Sequence, residues 1–138
     1  MKERAWFALR LAFCASMGLV SAAAQSLEMP PNEPFQAIHL INVRSANEEK
    51  ALLAAMADIN AAIARAGCEK CAYHLWKVYG TQSGNYNHVW MSSWPGRDVY
   101  IKVHMSAEYQ AVAKRHQDLE PILATQTYNR YVEVTPGK

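Results

Sequence analysis

The 138-residue chain has no run of about twenty apolar residues, so no bilayer-spanning helix is expected. It also lacks an excess of one charge. Fourteen Lys and Arg face twelve Asp and Glu, and they form no basic stripe of the kind a nucleic-acid groove or an anionic membrane surface would need. Cysteine is scarce, limited to Cys14, Cys68 and Cys71. Cys68-Glu-Lys-Cys71 is followed by Ala72 where a c-type haem attachment would require histidine.

What is present begins at the N-terminus. Lys2, Arg4 and Arg10 precede the apolar run Leu11 to Val20, and Ser21, Ala22, Ala23 and Ala24 follow it. This positive, apolar, small-residue order predicts a secretory signal cleaved after Ala24. The apolar run is too short for a retained anchor, so no membrane association is expected after cleavage. Trp6 to Val20 has no polar face, which argues against a buried amphipathic helix. The bulky Phe13 before Cys14 argues against lipid attachment there. Without the signal the chain keeps eleven residues of each charge, enough length for one domain with a workable core, and the single pair Cys68 and Cys71. The expected organisation is a signal at 1–24, a Pro-rich extended leader at 25–34 and one domain at 35–138. The expected location is the periplasm or the exterior.

Phe35 to Val43 is rich in apolar and β-branched residues and reads as a first strand. Ser45 and Glu48 form a Ser-x-x-Glu capping box for a helix running to about Ala66. Leu52, Met56, Ile59 and Ile63 share one face of that helix, and Gly67 follows where a left-handed cap is wanted. Ala72 to Tyr79 and Tyr86 to Trp94 read as a hairpin. Pairing Tyr79 with Tyr86 sets Leu75 against Trp90 and Lys77 against His88 on one face, with Trp76 against Val89 and His74 against Met91 on the other. Arg97 to about Ala124 reads as mainly helical, with Pro121 set to kink or break it. Tyr128 to Val134 closes as a fourth strand, with Tyr128, Arg130, Val132 and Val134 alternating against Asn129, Tyr131 and Glu133.

The order strand, helix, strand, strand, helix, strand predicts an α+β fold of the ferredoxin-like kind, a four-stranded antiparallel sheet with two helices on one face. The hairpin carries large apolar groups on both faces, and two helices can cover only one. A second copy packed sheet against sheet about a two-fold axis would cover the other, so the expected partner is the chain itself.

Cys68-x-x-Cys71 is open to three readings. A structural disulfide suits an oxidising compartment. Thiol–disulfide chemistry would place the pair at the opening of a helix, whereas this pair follows one. Metal binding by Cys68, Cys71 and His74 has suitable soft ligands, but no fourth ligand is identifiable, and no metal site is expected.

The run from Trp94-Pro-Gly-Arg through His104-Met-Ser106-Ala-Glu-Tyr109-Gln-Ala-Val resembles the dimeric α/β-barrel superfamily and, within it, the antibiotic biosynthesis monooxygenase group. The resemblance covers about residues 35–135 in element order, and its sharp part is about 20 residues long. It implies two ferredoxin-like protomers whose sheets close a barrel. Reactions in the superfamily range from cofactor-independent quinol and polyketide oxygenation to haem degradation, so the fold is weak evidence for any one of them. It also implies that His104 lines a pocket between sheet and helices, as a base for a phenolic or quinol hydroxyl, with no cofactor. Packing or helix capping is the plain alternative for His104. Trp90, Trp94 and Tyr109 could stack on a small flat aromatic ligand or serve as core. His39, His88 and Asn42 are weaker ligand-binding candidates. Aligning Ser106 to Tyr109 on the haem-degrading subgroup puts Val103 where its Trp stands and Ala113 where its His stands, which argues against haem cleavage.

Three functions are compatible with these residues. One is an exported small-molecule-binding domain of the oxygenase-like kind centred on His104. The second is a non-catalytic periplasmic dimer whose interior is filled by side chains, and the third is a thiol or metal protein centred on Cys68 and Cys71.

Overall fold

The computed structural model describes residues 29–80 and 84–134. The predicted signal, its cleavage point and Cys14 lie outside the described residues. Strand β1 (Phe35–Ile41) alternates buried with half-buried residues along its whole length, the period-2 mark of a strand packed on one face. It stops two residues short of the expected end because the Asn87 side chain replaces its sheet partner. Asn87 accepts from the Val43 N–H at 2.8 Å and donates to the Val43 carbonyl at 2.7 Å.

Helix α1 (Ala46–Arg65) opens on Ser45, whose hydroxyl accepts from the Glu48 N–H at 3.2 Å. The reciprocal half of the expected box is shifted by one residue. The Glu48 carboxylate takes the Arg44 N–H at 2.7 Å and the Arg44 guanidinium as well, and these bonds hold its pKa below the usual carboxylate range. At the far end Gly67 has φ +98°, and Cys68 N–H returns to the Ile63 carbonyl at 3.1 Å. This is the left-handed glycine cap that the sequence predicts. The inner face of α1 buries Leu52, Ala55, Ile59, Ala62 and Ile63, with Met56 partly buried beside them. Each large aliphatic side chain so buried is worth about 1.5–3 kcal/mol.

A short turn (Glu69–Cys71) contains the disulfide Cys68–Cys71 and leads into β2 (His74–Lys77) and β3 (His88–Trp94). Their pairing follows the expected register, Leu75 opposite Trp90, Lys77 opposite His88, Trp76 opposite Val89 and His74 opposite Met91. Both strands are shorter than expected at their turn ends.

The region after β3 departs from the expected single helix. It divides into α2 (Arg97–His104), α3 (Ala107–Arg115) and α4 (Glu120–Leu123), with a turn at Gln117–Leu119. The decisive break is at Met105-Ser106, not at Pro121. The Ser106 hydroxyl donates to the Val103 carbonyl at 2.7 Å and accepts from the Tyr109 N–H at 3.2 Å, closing one helix and capping the next. Pro121 lies in the first turn of α4, where a missing N–H does no harm. Strand β4 (Thr127–Val132) follows, starting one residue and ending two residues earlier than expected, so that Val134 lies outside it and is exposed.

The leader is tied to α2. Pro30 is buried, and the Asn32 carboxamide accepts from the Asp98 N–H at 3.1 Å while donating to the Asp98 carboxylate at 2.7 Å. Asn32 thereby caps α2 from outside the helix. Gly96 leaves room for it, since a Cβ there would strike the Asn32 carboxamide.

The sheet order is β2-β3-β1-β4, antiparallel throughout. One face of the sheet, carrying Phe35, Ala37, His39, Ile41, Trp90 and Trp94, lies in the core with the helices. The other carries Ile38, Leu40, Val89, Met91, Trp76 and Tyr131, and no described element covers it; Trp76 is 58% and Tyr131 45% exposed. No described helix is long and apolar enough to cross a membrane.

Candidate functional site

The sheet register arranges the helix-facing side chains in rows. One row runs Val132, Phe35, Trp94; the next runs Arg130, Ala37, Ser92; a third runs Tyr128, His39, Trp90, Leu75. The middle row has small residues at its centre, Ala37 and Ser92, between two aromatic rows. Tyr73 lies just before β2, where Asn60 fixes its backbone from α1 with bonds of 2.6 Å to N–H and 2.9 Å to carbonyl.

Opposite these rows, α2 supplies Tyr100 and His104 one turn apart, and α3 supplies Tyr109. The His104 imidazole stacks on Tyr100 with centroids 3.8 Å apart, lies 4.3 Å from Tyr109 and 5.1 Å from Trp94. Its Nδ1 is 2.8 Å from the Tyr100 carbonyl. A carbonyl only accepts, so Nδ1 carries the hydrogen and Nε2 keeps its lone pair. Burial pushes the His104 pKa down to about 4, helped by Arg130 and His39 and opposed by the bond to the Tyr100 carbonyl. The imidazole is therefore neutral at pH 7, with one basic nitrogen.

His39 forms the second pole. It is fully enclosed, stacked on Tyr128 at 4.2 Å, beside Trp90 and Tyr73, with Nδ1 2.7 Å from the Gln126 side-chain oxygen. Burial lowers its pKa to about 4 also. Between the two poles the hydroxyls of Tyr100 and Tyr128 meet at 3.1 Å, and the Arg130 guanidinium lies 5.1 and 4.9 Å from their ring centroids. Burial raises the Tyr73 and Tyr128 hydroxyls above the ordinary tyrosine value, so both are neutral donors at pH 7.

Of the residues singled out in the sequence, Trp90, Trp94, His104, Tyr109 and His39 come together here. Asn42 does not; it follows the end of β1 and is exposed. His88 is buried at another place, with Nε2 3.0 Å from Glu49 and Nδ1 2.7 Å from Asn87. It joins α1 to the sheet and holds the Glu49 carboxyl below its usual range. The residues the sequence reading missed are Tyr73, Tyr100, Tyr128, Arg130 and Ser92. Arg130 carried a signal, because its alternation with Tyr128 and Val132 set a cation on an apolar face.

Cys68 and Cys71 are both buried and bonded to each other, so the pair fastens the end of α1 to the approach of β2 and presents no thiol. His74 is exposed on the far sheet face, turned away from them. Among the described residues no three His, Cys, Asp or Glu side chains are grouped to hold a metal ion.

A split pair of β-α-β units, antiparallel in the order β2-β3-β1-β4, decides the architecture. The chain has the ferredoxin-like fold. No known family profile and no curated protein sequence matches it. Among solved structures it is similar to a dimeric ferredoxin-like protein of unknown function from Thermobifida fusca, at TM-score 0.53 and 15% identity, covering 78% of this chain and 97% of that one. A protein of unknown function from Rhodopseudomonas palustris gives TM-score 0.52 at 13% identity, covering 99% and 97%. SnoaB from Streptomyces nogalater, a cofactor-independent oxygenase, gives TM-score 0.50 at 13% identity, covering 77% and 99%. At these identities the likeness is one of fold.

Proposed function

We propose that the ferredoxin-like domain is an exported, homodimeric small-molecule-binding protein whose site ionises a flat phenolic or quinol substrate for reaction with oxygen. The observation that carries this reading is His104. A neutral imidazole with one hydrogen pinned to the Tyr100 carbonyl offers a single basic nitrogen inside a group of aromatic rings. That combination suits removal of a proton from a ring hydroxyl. Ground-state oxygen reacts poorly with closed-shell neutral molecules, and an electron-rich anion is what it can attack. Conversion of a ring CH₂ to a carbonyl balances with one O₂, one oxygen atom entering the product and the other leaving as water. The substrate supplies all four electrons. The same fold in a cofactor-independent oxygenase supports the reading. Oxygen uptake by the purified protein with anthrone-like quinols and flavonoid-like phenols tests it. Uptake with quinone formation is the expected result; an inert protein with every phenol would favour the non-catalytic binder.

The uncovered sheet face supports a second copy as its occupant. Ile38, Leu40, Val89, Met91 and Trp76 share one apolar face that a second copy would cover, and one structure of this fold is described as dimeric. Sedimentation at micromolar concentration is expected to give a dimer, and Met91→Lys a monomer, because a lysine at the centre of that face would be desolvated without a partner. A wild type found only as monomer would defeat the proposal.

Export rests on Lys2 to Ala24. Mass spectrometry of protein from a periplasmic extract is expected to find a chain beginning at Gln25, with Cys68 and Cys71 protected from alkylation until reductant is added. A chain still carrying Met1 would count against export.

A further inference from the structure

Resting on the small-molecule site just described, the geometry points to a ligand that is itself an anion. We infer that the site takes a planar aromatic acid, with the Arg130 guanidinium as counter-ion to its carboxylate or to an equally acidic ring oxygen.

A guanidinium keeps its charge under all ordinary conditions, and Arg130 is half-buried, so part of that charge is withdrawn from water. Among the described residues no carboxylate forms an ion pair with Arg130; its contacts are the faces of Tyr100 and Tyr128 and the Tyr100 hydroxyl at 3.4 Å. Its Nε–H is buried without any acceptor. Burial disfavours its charge while the hydroxyls of Tyr128 and Tyr100 favour it, leaving its pKa above the ordinary arginine value.

A second donor is stranded in the adjoining row. The indole Nε1–H of Trp90 is also buried without a partner, although Trp94 in the same strand satisfies its own by donating to the Ser92 hydroxyl at 2.6 Å. Native interiors rarely leave such groups unmatched. Here two unmatched N–H donors, one of them on the cation itself, occupy neighbouring rows, next to the small residues Ala37 and Ser92 and flanked by tyrosines that are themselves donors. The nearby His39 and His104 are neutral and bring no negative charge. What the site lacks is a negatively charged acceptor with a flat body, which an aromatic acid supplies.

The arrangement also relates to the proton step. A base as weak as His104 forms its imidazolium in the site only if the anion produced is stabilised where it forms, and Arg130 is the cation at hand.

Titration calorimetry with 2-naphthoate, its methyl ester and 2-naphthol tests the inference without requiring turnover. The carboxylate is expected to bind about 10- to 100-fold more tightly than the ester, the range of one charge-assisted hydrogen bond. Arg130→Gln should remove that preference, bringing acid and ester affinities to within about twofold of each other, and Arg130→Lys, which retains charge but not the planar fork, should keep part of it. Circular dichroism of both variants checks that they remain folded. Equal binding of acid and ester by the wild type, no binding of the acid, or a preference that survives Arg130→Gln would overturn the inference. Oxygen uptake with neutral phenols but no acid preference would overturn it and leave the oxygenase reading standing. Acid binding without oxygen uptake would do the reverse.

Discussion

Lowering the pH from 7.5 to 4.5 should remove a substantial part of the stability of the folded protein. His39 and His104 have native pKa values of about 4, against the ordinary histidine value of 6.5. Between those values the unfolded chain binds more protons than the native one, so stability rises with pH across that interval. The contribution is present in full above about 6.5 and is lost as pH falls toward 4. Each displacement is worth roughly 3 kcal/mol, and two together rival the roughly 5–15 kcal/mol of a typical domain. Urea denaturation at fixed protomer concentration, followed at several pH values, measures it. His39→Phe and His104→Phe should each remove about half of the slope. Equal unfolding free energies at pH 7.5 and 4.5 would show that neither histidine is buried neutral.

With an oxidisable phenol or quinol as substrate, His104→Ala should lower turnover by roughly 100-fold or more while the sheet and its dimer persist. The reason lies in Nε2. An imidazole of pKa about 4 facing a phenol of pKa about 10 leaves proton transfer roughly 8 kcal/mol uphill until the new anion is stabilised. The histidine must therefore act together with Arg130 and not by basicity alone. A second signature follows. The acid limb of kcat/KM for the free enzyme should lie near 4, below the 6.5 of an exposed histidine. Full activity in His104→Ala, or an acid limb at the ordinary value, would remove His104 from the mechanism.

The hairpin was legible in the sequence because glycine-bearing turn residues separate two alternating runs, and the register of Leu75 against Trp90 follows from them. Helix α1 was legible because its cap, its apolar face and Gly67 agree. The region from Arg97 onward was not. Ser106 can sit within a helix or start one, and only its pair of bonds to Val103 and Tyr109 decides between them. That break places Tyr100 and His104 on one short helix and Tyr109 on another, so the site could not be assembled from a single helical face. Tyr73 was invisible because its position depends on Asn60, thirteen residues away. Arg130 and Tyr128 were seen as one strand face, but the face that meets the helices is chosen by packing. His88 looked like a site residue and is one side of a clamp, because Glu49 on α1 comes within reach only in the fold.

Helix α2 has eight residues, fewer than the ~12–15 an isolated helix needs to persist in water. Its shape depends on what holds its two ends, Asn32 from the leader at one and Ser106 with Gln110 at the other, where Gln110 donates to the His104 carbonyl. The sheet beneath needs none of these contacts to stay paired. Local opening of this one segment would uncover a flank of the aromatic cluster while the sheet stays paired. On the binding reading proposed above, that opening is the expected route for a flat molecule to His104, and Asn32, which holds the first turn of α2, is the residue expected to govern it.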